Sequence, residues 1–278
     1  MRRPLSLTRD LVFPCVMGVL NVTPDSFSDG GLFSDPAAAL QQGSAMAADG
    51  AAIVDVGGES TRPGSDPVSA EQEAARVVPL IEKLHRGVAA AISVDTSKAE
   101  VARRALAAGA AVVNDVTALR GDADMAAVVA EAGCPVCLMH MLGTPKTMQV
   151  DPRYDDVVDE VRRFLEERLA FAVAAGVREE QVLLDPGIGF GKTLDHNLLL
   201  LRHLDRFVAL GRPVVVGASR KRFLGAILDA ESQERVAGTV ATTVVGALAG
   251  AAVFRVHDVK PNVQALRVAE AVMRAGDA

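Results

Sequence analysis

The chain has 278 residues, half of them apolar, which is ordinary for one large α/β domain and enough to bury a sizeable core. Its net charge is −6, and no run of Lys and Arg forms a basic face, which argues against a nucleic-acid partner. Three cysteines, Cys15, Cys134 and Cys137, are too few and too scattered for a disulfide framework and point to a reducing compartment.

No apolar run reaches transmembrane length, so no membrane association is expected. Arg2 and Arg3 precede an apolar run from Leu11, as in a signal peptide. Pro14 interrupts that run and no small-residue cleavage site follows, so the expected location is cytoplasmic. Asn21-Val22-Thr23 fits the glycosylation pattern, which has no meaning there.

In chain order, β-branched runs suggest strands near residues 15–22, 53–57, 92–95, 112–115, 135–140, 182–185, 213–217 and 253–257. Between them lie segments with helical periodicity, such as 157–175 and 264–275. A strand followed by a helix, eight times over, predicts an α/β fold of the (β/α)8 barrel type, with a doubly wound sheet as the alternative. No linker separates two compositions, so residues 1–278 are expected to form one domain. Residues 23–35, and 60–67 with two prolines, read as loops able to move over a site.

Strands of a parallel barrel are buried on both faces and should be apolar throughout. Here nearly every run turns polar at its C-terminal end: Asn21, Asp55 and then Glu59, Asp95, Asn114, His140, Asp185, Ser219 and Lys221, and Arg255 with His257. One such residue is more often a helix cap or loop anchor. The whole series is better explained by a shared polar mouth, where active sites of these barrels lie. Side-chain alternation puts Arg255 and His257 on one face, Phe254 and Val256 on the other.

The strand ends sit in longer recognisable segments. Residues 17–31 read Met-Gly-Val-Leu-Asn-Val-Thr-Pro-Asp-Ser-Phe-Ser-Asp-Gly-Gly, and residues 55–64 read Asp-Val-Gly-Gly-Glu-Ser-Thr-Arg-Pro-Gly. Ser93-Val94-Asp95-Thr96, Asn114-Asp115, the 185–192 segment Asp-Pro-Gly-Ile-Gly-Phe-Gly-Lys, Ser219-Arg220-Lys221 and Arg255-Val256-His257-Asp258 follow. Together, and in this order, they resemble the signatures of the dihydropteroate synthases, a family of pterin-binding barrels. The resemblance implies condensation of 6-hydroxymethyl-7,8-dihydropterin diphosphate with p-aminobenzoate, releasing pyrophosphate and 7,8-dihydropteroate. It also implies Mg2+, a homodimer, and sulfonamides as inhibitors that mimic p-aminobenzoate.

By the same resemblance, Asp95, Asn114, Asp185, Lys221 and Arg255 hold the pterin, whose amino-pyrimidinone edge needs fixed carboxylate and amide partners. Asn21, Arg62, Arg255 and His257 match the diphosphate positions, and Asn21 offers a carbonyl oxygen suited to Mg2+. Phe27, Thr61, Arg62, Pro63, Phe190 and Ser219 match the p-aminobenzoate pocket, with resistance changes expected at Phe27, Thr61 and Pro63. The catalytic set is Asp95, Asp185, Lys221, Arg255 and His257. Taken alone, Lys221 could be a solvated helix-start lysine and Phe190 an ordinary packing residue. The implied chemistry is SN1-like: diphosphate leaves first, the electron-rich ring spreads the positive charge, and the amine attacks, with no covalent enzyme intermediate.

Two motifs mislead. The glycine-rich stretch ending Gly191-Lys192-Thr193 misses the phosphate-loop spacing, because Pro186 stands where its first glycine belongs. Cys134 and Cys137 form a CxxC with no second zinc pair and read as packing residues. His140 either lines the mouth or satisfies a backbone carbonyl. Arg222 replaces the serine of many family members and either meets the benzoate carboxylate or points to solvent. The rival readings are a pterin-dependent methyltransferase and a non-catalytic pterin-binding paralogue. Residues 237–252 pack against the barrel or against a partner.

Overall fold

The computed structural model describes residues 4–23, 36–61 and 64–276. The apolar runs become eight parallel strands: β1 Cys15–Asn21, β2 Ile53–Gly57, β3 Ala91–Asp95, β4 Val112–Asp115, β5 Val136–Met139, β6 Val182–Asp185, β7 Val215–Val216 and β8 Val253–Val256. They pair in the order β6-β5-β4-β3-β2-β1-β8-β7. A parallel bridge from Leu184 to Val214 links the two ends, so the sheet closes into the (β/α)8 barrel that the alternation predicts.

The helices are α1 Leu7–Asp10, α2 Pro36–Ala48, α3 Ala70–Gly87, α4 Ala99–Ala107, α5 Met125–Ala132, α6 Val157–Ala174, α7 Leu194–Arg202, α8 Leu204–Val208, α9 Arg222–Leu228, α10 Val236–Leu248 and α11 Val259–Met273. Local chemistry fixes several starts. Ser69 and Gln72 make a reciprocal capping box on α3, and Thr193 and His196 make one on α7. Asp156 accepts from the amides of Val158 and Asp159 at the head of α6. On α3, Val77, Leu80, Ile81 and Leu84 recur at helical spacing and face the sheet.

Alternation along the strands sorts side chains into two cores. Val16, Leu20, Val54, Val56, Ile92, Val94, Leu138, Leu184, Phe254 and Val256 face the helices. Cys15, Met17, Ile53, Cys137, Leu183, Val215 and Val253 fill the barrel, and Leu7 and Leu11 of the N-terminal segment plug its lower end. The inward parity carries on to Asp55, Asp95, Asn114, Asp185 and Arg255 at the other end.

Two elements differ from their expected extents. β7 was expected over 213–217 but has only Val215 and Val216, because Pro213 lacks an N–H and the chain turns into the mouth after Gly217. The last helix starts at Val259 rather than near 264; Pro261 falls in its first turn, where no intrahelical N–H bond is lost. The helix expected over 157–175 matches α6.

Candidate active site

The mouth is built around Arg255. Its Nε donates to Asp55 Oδ2 at 2.7 Å and its Nη2 to Asp95 Oδ2 at 2.7 Å. Asn114 Nδ2 donates to the same Asp55 oxygen at 3.1 Å. One guanidinium therefore serves two carboxylates, and Asp55 and Asp95 are buried. Burial disfavours the Arg255 cation, but Asp55 and Asp95 outweigh it and hold its pKa above the ordinary value. Burial pushes Asp95 up to about 7, against Arg255 and with help from Asp55.

Asp55 belongs to the polar series and carries no role by the family resemblance, yet it is the hub of this cluster. The signal was its parity: it is inward-facing, like Asp95 and Arg255. Among the described residues, Asp55 Oδ1 and Ser93 Oγ are buried and without a hydrogen-bond partner, and they are register neighbours on β2 and β3. Buried orphans side by side mark a wall that a polar ligand or ordered water completes. Asp115, by contrast, faces away. Its carboxylate accepts from the Thr117 amide and hydroxyl and the Leu119 amide, a loop anchor.

Across the mouth, Asp185 Oδ1 accepts from the Gly187 amide at 2.6 Å. Burial raises its pKa, while Lys221 opposes the rise. Lys221 donates to the Ile188 carbonyl, and its Nζ lies 4.3 Å from the centre of the Phe190 ring. Burial lowers the Lys221 pKa to about 7, with Asp185 resisting. Lys221 is thus no solvated surface lysine, and Phe190 forms an apolar wall beside its cation. The turn needs Gly189 at φ +84°, where a Cβ would also stand 2.6 Å from the Lys221 stem.

Ser219 Oγ lies 3.0 Å from His257 Nδ1 and accepts from the His257 amide at 3.1 Å, joining the ends of β7 and β8. Asn21 ends β1 opposite Gly57. A Cβ on Gly57 would meet Asn21 Oδ1 at 3.0 Å and the Asp95 Cβ at 3.5 Å, so Gly57 leaves Asn21 close to the Asp95 side of the mouth. Thr61 is half-buried just beyond β2. Phe27, Arg62 and Pro63 lie outside the described residues.

Several neighbours were missed. Lys98 Nζ bridges Glu59 at 2.5 Å and Glu73 at 2.6 Å, and Glu59 also accepts from the Val68 amide, tying the base of the second loop. Buried Lys192 meets His140 Nδ1 at 2.9 Å and the Phe190 carbonyl at 3.0 Å. His140 is therefore packed beneath the 187–192 turn, its pKa driven down to about 2 by burial and then by Lys192. Cys134 packs in the helix-facing core and Cys137 inside the barrel, both with thiol pKa raised by burial, as packing residues should be. Arg222 opens α9 and is exposed.

The pterin binding enzyme family matches residues 17–257. The chain is 49% identical over 266 residues to the dihydropteroate synthase of Escherichia coli K12, covering 96% of this chain and 94% of that one. It is similar to the Yersinia pestis dihydropteroate synthase solved as a sulfonamide drug complex, with a TM-score of 0.91 at 46% identity over 98% and 97% of the two chains. The Xanthomonas albilineans dihydropteroate synthase solved with 4-aminobenzoic acid gives 0.88 at 49% identity over 94% and 93%.

Proposed function

We propose that this chain, which belongs to the pterin-binding enzymes and among them to the dihydropteroate synthases, joins a dihydropterin diphosphate to p-aminobenzoate at the barrel mouth. The observation that carries the reading is the convergence of Asp95, Asn114 and Asp185 in a buried wall facing Lys221 and Arg255. An amino-pyrimidinone edge presents several N–H donors and a carbonyl, and fixed carboxylates and an amide answer them. Asp185 is assigned to the amino and ring N–H donors, and Lys221 to the ring and the adjoining p-aminobenzoate. The same names on relatives of near-full coverage support this over a methyltransferase.

The residues fit a magnesium ion that arrives with the diphosphate. Asn21 gives one neutral oxygen, and no group of three His, Cys, Asp or Glu side chains among the described residues could cage a resident ion. Magnesium keeps most of its waters and takes phosphate oxygens readily, so one amide oxygen suffices. When bound, it supplies positive charge to the leaving group.

The chain's own groups divide the remaining work. Loss of diphosphate breaks the bond from the pterin methylene carbon to oxygen and leaves positive charge spread over the ring. Asp95 and Asp185 stabilise that charge, while His257 and Arg255, with Arg62 from the second loop, favour the departing anion. The amine of p-aminobenzoate then forms the new carbon–nitrogen bond and releases a proton. Phe190, Ser219 and Thr61 border the benzoate, the place a sulfonamide would compete for, and Phe27 and Pro63, outside the described residues, are assigned to it by family resemblance alone. No enzyme side chain is attacked, so no covalent adduct forms.

A homodimer and a cytoplasmic setting complete the reading, with small molecules and no nucleic acid or membrane as partners. Among the described residues, no helix is long and apolar enough to cross a membrane. Thr239, Thr243 and Ala247 of α10 are buried, while Val245 and Leu248, with Val268 and Val272 of α11, are exposed and suit a second copy. Pyrophosphate release with pterin diphosphate and Mg2+, with and without p-aminobenzoate, tests the function. Release that rises with p-aminobenzoate and yields dihydropteroate supports it; pterin binding without release returns the choice to a methyltransferase or a silent paralogue.

A further inference from the structure

Ser219, Lys221, Arg255 and His257 all have assigned roles, whereas the residues between and beside them, Arg220 and Asp258, have none. Arg220 adopts φ +56°, a left-handed conformation that side chains other than glycine rarely take. The surroundings enforce it. Its amide donates to Thr239 Oγ1 at 3.1 Å, and its carbonyl accepts from Arg235 Nη1 at 3.1 Å. Its guanidinium forks onto Asp258, Nε to Oδ2 at 2.9 Å and Nη2 to Oδ1 at 2.6 Å.

Asp258 is unusual in its turn. It stands at the N-cap of α11, where an aspartate ordinarily accepts from the first-turn amides, yet its side chain makes no cap bond. The carboxylate goes to Arg220 instead. The fork therefore ties the turn after β7 to the turn after β8. The left-handed step at Arg220 reverses the chain so that Lys221, in extended conformation, drops onto the Ile188 carbonyl and the Phe190 ring. One residue before Asp258, His257 meets Ser219, one residue before Arg220. Two parallel ties thus span the same pair of turns.

We propose that Arg220 and Asp258 are positioning residues whose bidentate pair sets the spacing between Lys221 on the p-aminobenzoate side and His257 on the diphosphate side. The inference rests on the function proposed above. A planar fork fixes both distance and angle, which a lysine ammonium cannot do. A misplacement near 1 Å costs a reaction of this kind up to about 100-fold.

The test uses Arg220→Gly, Arg220→Lys, Asp258→Asn and the double variant Arg220→Gly with Asp258→Asn. Glycine accepts φ +56° without strain, so its loss of function would report the fork and not the backbone. Each single variant should lower kcat/KM about 10- to 100-fold, with KM for p-aminobenzoate raised. The double variant should be no worse than the poorer single, because the two side chains act as one unit. Affinity for a pterin lacking the diphosphate should fall less than kcat/KM does, since Asp95, Asn114 and Asp185 are untouched and Lys221 is the pterin contact that the clamp positions. Kinetics within twofold of wild type, or effects that multiply in the double variant, would overturn the clamp. If Arg220→Gly does not fold, Asp258→Asn decides alone. Wild-type turnover in the same assay reports the function itself, and p-aminobenzoate affinity reports the clamp even if turnover is absent, so the two readings fail separately.

Discussion

The two ends of the barrel are made from the same strands and obey opposite rules. At the lower end, Cys15, Met17, Ile53, Leu183, Val215 and Val253 meet Leu7 and Leu11 in an apolar plug. A few residues further along, the same inward parity delivers Asp55, Ser93, Asp95, Asn114, Asp185 and Arg255, nearly all buried and two with unanswered polar atoms. One end stabilises the fold by removing apolar surface from water. The other holds charges in a place where they cost stability, and their recompense is a ligand. A barrel separates these tasks by position along the strand, so either end can be altered without the other.

The largest effect should come from breaking the charged end at its hub. Arg255→Met leaves Asp55 and Asp95 buried without their cation, and unfolding by urea should show a loss of about 3–5 kcal/mol together with loss of turnover. Lys221→Ala and Asp185→Asn should lower kcat/KM by about 100- to 1000-fold, with the far-ultraviolet spectrum unchanged. Met17→Ala, at the apolar end, should cost about 2–5 kcal/mol in the same urea titration and leave turnover at 25 °C intact. If Met17→Ala impaired the chemistry as much as the fold, the separation of the two ends would be lost.

The pH dependence sharpens the comparison, because Asp95 and Lys221, both shifted toward neutrality, stand in the mouth. Asp95, raised to about 7, protonates as pH falls and loses the charge that the proposed chemistry sets against the cationic ring. Lys221, lowered to about 7, loses its proton as pH rises. The rate should therefore fall on both sides of a narrow optimum near neutrality. Lys221→Arg keeps its cation and should move the alkaline limb upward. The smallest effect belongs to Arg222. It is exposed at the start of α9, so Arg222→Ser should leave KM for p-aminobenzoate within about twofold.

Most of the fold was legible because the strands are continuous apolar runs and their parity is fixed by the backbone. Arg255 with Phe254 and Val256 on opposite faces is the clearest instance. The pairings within the mouth were not legible. Arg255 meets Asp55 across 200 residues of chain, and nothing local in either segment names the other. Asp115 resembled Asn114 as a strand-end polar residue, but opposite parity sends it to anchor the Thr117–Leu119 turn. Lys192 belonged to a motif rejected on spacing, and its contact with His140 depends on how the 187–192 turn folds back over β5. The length of β7 depended on Pro213 and on the Leu184–Val214 bridge, which only closure of the barrel creates.

The most direct test of the account is product formation by Lys221→Ala and wild-type protein side by side, with folded fraction measured on the same samples. The wild type should give dihydropteroate and pyrophosphate in equal amounts, and the variant, still folded, should lose at least about 100-fold. Equal turnover by the folded variant would contradict it and remove the polar mouth from the chemistry.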